Sequence, residues 1–179
     1  MPTYPFHRIA VTARAGFPEK ERILGDLVQV LKKEGAEVFL DPTFCSVDGL
    51  KQEKGFEELK DFDLIIVLGG DGTTLRAVRN LKDFRIPLLT VNRGNVGFLA
   101  ECDIAEMSNV LPSLLRGEGI IEERLLLSCT IRRNEEEQSF GIALNEVVVS
   151  QSAIARLIEL PTKVNGTPLT VFRADGLII

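Results

Sequence analysis

The stretch LIIVLGGDGTT, residues 64–74, limits what this chain can become more than any other. Five consecutive apolar residues, Leu64, Ile65, Ile66, Val67 and Leu68, have the length and branching of a strand buried on both faces, as in the middle of a parallel sheet. Gly69 and Gly70 stop that strand. Asp71 and Gly72 follow, and Thr73 and Thr74 offer capping hydroxyls to a helix expected to run through Leu75, Ala77, Val78 and Leu81. A strand, a glycine turn and a helix start let backbone amides approach a phosphate at a helix end that carries partial positive charge. A plain tight turn would use the same glycines, but it gives no reason for a carboxylate inside the loop, where it repels a phosphate unless it acts on a neighbouring hydroxyl. The stretch is not a Walker loop, since no Gly-Lys-Ser/Thr follows. The dinucleotide fingerprint fails because Leu75 stands where its third glycine or alanine belongs.

Around this centre, strand and helix alternate. Residues 8–12 read as a first strand and residues 19–33 as a helix, with apolar positions at Ile23, Leu24, Leu27, Val28 and Leu31, closed by Gly35. Residues 37–40 form a second strand, followed by a polar loop over 41–54 that is expected to move. After the central strand and helix, residues 86–91 make another buried strand. Asp103 begins a helix through Met107, Val110, Leu111 and Leu115 that Gly117 and Gly119 close. This alternation predicts a doubly wound, Rossmann-like parallel sheet over residues 1–118, with ligands at the carboxyl ends of its strands.

From residue 119 to 179 the texture changes to short strand-like runs, at 125–133, 140–150, 154–160, 163–164 and 169–172. They predict an antiparallel, β-rich second domain. Asn165-Gly166 is a hairpin turn, because both residues tolerate positive φ, and the acidic run 135–137 reads as a solvated loop. The chain reaches Ile179 inside the apolar run Leu177, Ile178, Ile179, so this second domain is expected to be incomplete, with an unpaired edge and exposed apolar residues, and the 179 residues by themselves to be inactive.

Composition narrows the partners. A formal charge of -5 argues against broad electrostatic binding to nucleic acid or anionic membranes. Cys45, Cys102 and Cys129 are irregularly spaced and, with the one histidine, His7, make no metal-ligand pattern; they read as reduced structural thiols. No signal architecture opens the chain and no apolar run approaches a bilayer's span, which makes the cytoplasm the default expectation.

Further chemistry-bearing groups follow the strands. A second glycine turn, Asn92-Arg93-Gly94-Asn95-Val96-Gly97-Phe98-Leu99, takes the same topological place as the first, so the two loops should meet at the carboxyl edge and frame one cleft. There Asn92 can read a hydroxyl or base edge and Arg93 can neutralise phosphate. Phe98 is either a flat face for a nucleobase or core, and Leu99 is core. Asn145 and Glu146 place adjacent polar groups inside an apolar strand, where one must find an interior partner or both serve as a binding pair. Arg173-Ala174-Asp175-Gly176 again sets an acid beside glycine, as a binding element or a plain turn.

Gly69-Gly70-Asp71-Gly72-Thr73, then Asn92 to Gly97-Phe98, then Asn145-Glu146, then Asp175-Gly176, in this order, resemble the NAD kinase family over essentially the whole chain. The first motif is shared with diacylglycerol, sphingosine and phosphofructokinase relatives, while the Asn-Glu pair and the Phe-bearing loop narrow it. The resemblance implies ATP-dependent phosphorylation of the 2'-hydroxyl of the adenosine ribose of NAD, giving NADP, with magnesium or another divalent cation, in a homodimer or homotetramer. It implies that Asp71 contacts the accepting hydroxyl, Phe98 the adenine side, Asn145 and Glu146 the ribose and base, and that Asp175 reaches substrate across a subunit interface. The amides of Gly70, Gly72 and Thr73 would hold phosphates. No metal ligand can be named from the sequence, and the donor, ATP or polyphosphate, stays open. The competing readings are a lipid kinase of the diacylglycerol type and a non-catalytic NAD(P)-binding sensor.

Overall fold

The computed structural model describes residues 6–16, 19–43, 61–81, 83–92, 97–151 and 157–179. The chain divides into two compact units, Met1–Glu122 and Glu123–Ile179.

The first unit is built on five parallel strands, β1 (Arg8–Ala13), β2 (Glu37–Leu40), β3 (Leu64–Leu68), β4 (Leu88–Asn92) and β5 (Cys102–Asp103), in the order β2-β1-β3-β4-β5. All five residues of β3 are buried, as the unbroken apolar run requires of a central strand. Its side chains alternate between two cores. Leu64, Ile66 and Leu68 point to the face covered by α1 (Lys20–Lys33) and α3 (Ile104–Leu115), while Ile65 and Val67 point to the face covered by Ala77 of α2 (Asp71–Asn80). Helices on both faces make this the doubly wound sheet that the alternation predicts.

Local sequence explains the ends of these helices. Gly35, at φ 84°, closes α1 with paired bonds from its own N–H to the Lys32 carbonyl and from the Ala36 N–H to the Leu31 carbonyl, a conformation that a residue with a Cβ resists. Asp103 caps α3, its carboxylate accepting from the Ala105 N–H at 2.9 Å while Glu106 accepts from the Asp103 N–H. Asp103→Ala removes this cap and should lower unfolding free energy by about 1 kcal/mol, read as a shift in urea midpoint without a change in slope. An unchanged midpoint would mean that the cap is replaced by solvent at no cost.

At the amino-terminal end of the sheet the Arg8 guanidinium lies 5.1 Å from the Phe39 ring centre and 5.3 Å from that of Phe62, and donates to the Asp61 carbonyl. This end is braced by packing and cation–π contact. Cys102 and Cys129 are free thiols; burial pushes the Cys102 thiol up, with the nearby Glu106 and Asp103 charges adding to it. Cys45 and residues 44–54 of the expected polar loop lie outside the described residues.

The second unit consists of antiparallel pairs: β6 (Leu127–Arg133) with β7 (Glu136–Ala143), β8 (Val148–Ser150) with β11 (Gly176–Ile178), and β9 (Ile158–Val164) with β10 (Thr167–Ala174). Asn165 and Gly166, at φ 50° and 81°, make the expected two-residue hairpin turn, with Val164 opposite Thr167. Phe140, Leu169 and Val171 are exposed.

Two expectations are corrected here. The acidic run is not a loop. Asn134 and Glu135 alone make the turn, and Glu136 and Glu137 enter β7 opposite Arg133 and Arg132, where Glu137 pairs with the Arg132 guanidinium. Nor do Asn145 and Glu146 sit inside a strand: both precede β8 and are exposed, so neither needs an interior partner.

Candidate functional site

In the order β2-β1-β3-β4-β5 the chain reverses its direction of travel across the sheet between β1 and β3, which is where open parallel sheets bind ligands beyond their carboxyl ends. Ladder bonds run to the very ends of these strands, from the Arg14 N–H to the Leu68 carbonyl at 2.8 Å and from the Gly69 N–H to the Val91 carbonyl at 2.9 Å. The next residue, Gly70, is the N-cap of α2, with no side chain serving as a cap. Among the described residues no acceptor meets the N–H groups of Gly70, Asp71 and Gly72. Three free amides at a helix start form a ready-made anion site.

The capping role expected of Thr73 and Thr74 is not what they do. Both are buried within the first turn of α2. The Thr73 N–H donates to the Gly70 carbonyl at 2.9 Å and is therefore not offered to a ligand, while the Thr74 hydroxyl meets that of Thr90 on β4 at 2.9 Å. Thr73 also explains Gly69, where an added Cβ would lie 2.9 Å from the threonine Cβ. Thr74 docks the helix on the sheet through its hydroxyl, and Thr73 is buried beside Gly69 at the end of β3.

Asp71 is the first residue of α2, and its carboxylate reaches across to the second glycine turn. Oδ2 accepts from the Phe98 N–H at 3.0 Å and Oδ1 from the Leu99 N–H at 3.1 Å. A Cβ on Gly97 would fall 2.7 Å from the carboxylate carbon, so this approach requires glycine. The two turns thus meet, joined by backbone amides and a carboxylate. Leu99 is buried, as expected, whereas Phe98 is 91% exposed and so is not part of the core. Asn92 ends β4, with its amide nitrogen 4.0 Å from where a Cβ on Gly70 would stand. Gly70, Asp71, Asn92, Gly97 and Phe98 are therefore one cluster. Arg93 lies outside the described residues.

The remaining candidates belong to the second unit. Asn145 and Glu146 are exposed before β8. Arg173 is exposed on β10 opposite Glu159, and Asp175 is exposed between β10 and β11, its carbonyl accepting from the Gln151 N–H. Gly176 has a steric reason to be glycine, since a Cβ there would stand 2.8 Å from the Val149 carbonyl oxygen.

One network at the same carboxyl edge carried no sequence signal. The Arg76 guanidinium, from α2, donates to the Thr12 hydroxyl at 3.2 Å and to the Ala13 carbonyl at 2.9 Å. Thr12 in turn donates to Asp41 Oδ2 at 2.8 Å, and Oδ1 accepts from the Thr43 N–H. Asp41, read as the start of a polar loop, is 6% exposed. A buried carboxylate just after a strand is visible only once the strand order is known.

Comparison with known proteins places the chain in a family. Residues 11–119 match the model of the ATP-NAD kinase N-terminal domain. The NAD kinase of Geobacter sulfurreducens is 36% identical over 173 residues, covering 96% of this chain and 61% of that protein, and that of Natranaerobius thermophilus is 44% identical over 117 residues, covering 65% and 41%. The chain thus spans about three fifths of the length of the first of these relatives. Among solved structures, yeast NADH kinase in complex with NADH superimposes with a TM-score of 0.81 at 21% identity, over 98% of this chain and 57% of that one. An NAD kinase from Archaeoglobus fulgidus in complex with ATP gives 0.70 at 26% identity, over 96% and 59%.

Proposed function

The chain belongs to the NAD kinase family, and we propose that it carries the acceptor and phosphate sites of an enzyme that transfers a phosphoryl group from ATP to the 2'-hydroxyl of the adenosine ribose of NAD, giving NADP. The observation that carries this reading is the placement of one carboxylate, Asp71, beside three free amides at a helix start. A phosphate needs the amides; a hydroxyl nucleophile needs the carboxylate.

In-line phosphoryl transfer depends on positioning and charge neutralisation more than on full deprotonation of the nucleophile. Asp71 orients the ribose hydroxyl and accepts its proton late in the transfer. The N–H groups of Gly70 and Gly72 hold phosphate oxygens, aided by the dipole of α2. Asn92 reads a hydroxyl or base edge, and the exposed ring of Phe98 stacks on the adenine side. Asn145 and Glu146 contact ribose and base, and Asp175 reaches substrate across a subunit interface, as the family resemblance implies, with Arg173 beside it as a further nucleotide contact.

Magnesium fits this turn as a companion of the phosphates. Among the described residues no three His, Cys, Asp or Glu side chains stand together, and the ion commonly takes one or two carboxylates, substrate phosphates and waters. When bound, the ion neutralises phosphate charge. We place the protein in the cytoplasm as a homodimer or homotetramer, in keeping with the family; among the described residues no helix is long and apolar enough to cross a membrane.

The test is one incubation. The intact protein with ATP, magnesium and NAD should form NADP, read at its absorbance after enzymatic reduction. NAD binding without product would make the protein a sensor, and product formed only from a diacylglycerol would make it a lipid kinase.

A further inference from the structure

Asp71 does two things with one carboxylate, and the second of them concerns the Phe98 segment. Phe98 is exposed and so contributes almost no burial to holding its backbone in place. Beside the burial of Leu99, it is held by the pair of successive N–H groups of Phe98 and Leu99, aimed at the two oxygens of a side chain 27 and 28 residues earlier in the chain. Bonds from N–H to an ionised carboxylate are about twice as strong as neutral ones. The approach also needs Gly97, because any Cβ there would collide with the carboxylate.

We propose that Asp71 and Gly97 form a latch that sets the position of the Phe98 backbone, so that Gly97 acts as a positioning residue and Asp71 orders the aromatic face as well as the acceptor hydroxyl. The proposed function supplies the purpose of the latch; the latch itself stands on geometry. An Asp71 carboxylate bound to the second turn is fixed in direction by residues outside its own helix, and the second turn is fixed by the same atoms. Any nucleotide hydroxyl approaching Asp71 then finds Phe98 already in register.

Hydrogen exchange of the 179-residue chain, resolved by residue, tests this without NAD or ATP, so a failed kinase assay and a failed latch are distinguishable. The Phe98 and Leu99 amides should be protected in the unmodified chain. In Asp71→Asn, whose amide nitrogen must face one of the two donors, their exchange should rise about 10- to 100-fold, as expected for losing a hydrogen bond to a charged group. The amides of β3 should be unaffected. Gly97→Ala should raise exchange at the same two positions, and the double variant should exchange no faster than the worse single one, because both changes break the same contact. If Asp71→Asn also exposes the β3 amides, Gly97→Ala carries the test. Unprotected Phe98 and Leu99 amides in the unmodified chain, unchanged exchange in the variants, or additive effects would each overturn the latch.

Discussion

Asp71→Asn in the intact protein should lower turnover of NAD by about 10²- to 10⁴-fold, the usual contribution of a positioned proton acceptor. The substitution keeps the side-chain shape and its place at the start of α2, so the free amides of Gly70 and Gly72 remain to hold phosphate. It removes the proton acceptor, and it also turns an NH2 group toward either the Phe98 or the Leu99 N–H, both of which now donate to the carboxylate. The KM for NAD should therefore rise as well, though far less than turnover falls, while the KM for ATP changes little. Steady-state kinetics with each substrate varied separately measures all three. Turnover within a few-fold of the unmodified enzyme would remove Asp71 from its catalytic role.

The largest effect on stability is expected at Asp41. Its carboxylate is the terminal acceptor of the line from Arg76 through Thr12, and it also accepts from the Thr43 N–H. Asp41→Ala leaves the buried Thr12 hydroxyl, which still accepts from Arg76, with no acceptor for its own proton, while the N–H of the exposed Thr43 can turn to water; the cost should be about 1–3 kcal/mol. Asp41→Asn keeps a carbonyl oxygen to accept from Thr12 and should cost less. Because Arg76 sits on α2, loosening this line also frees the helix that begins with Asp71. Urea unfolding of the three proteins, followed by far-ultraviolet circular dichroism, checks the order. A smaller loss for the alanine variant than for the asparagine variant would show that Asp41 is not the acceptor that matters.

Much of the first unit is legible in the residues themselves, and the reason is locality. The run Leu64–Leu68 is short, rich in β-branched residues and stopped by glycine, which marks a strand buried on both faces, and the periodicity of residues 20–33 buries one helical face. The second unit is less legible because its strands are largely exposed and pair with one another, so no buried face marks their limits. The pairing of β8 with β11 reaches back only to Val147, which exchanges both backbone bonds with Ile179, and so leaves Asn145 and Glu146 outside it, a fact that no property of those two residues announces. Likewise the Asn134-Glu135 turn lets an acidic run continue as a strand, where cross-strand arginines offset its charge.

For the site, the sequence by itself determined the glycine turn, the lone carboxylate in it and the strand after which a second turn follows. These depend on residue types with distinct backbone freedom or charge, and such signals lie within a few adjacent positions. Tertiary structure alone decided what Asp71 touches, that Thr73 and Thr74 are buried instead of capping their helix, with Thr74 bonded to Thr90 on β4, and that Asp41 is buried against Thr12. The groups concerned are a hydroxyl, a carboxylate and backbone amides that every residue but proline carries. Which of them meet is set by the order of strands in the sheet, which brings chain segments dozens of residues apart to one edge.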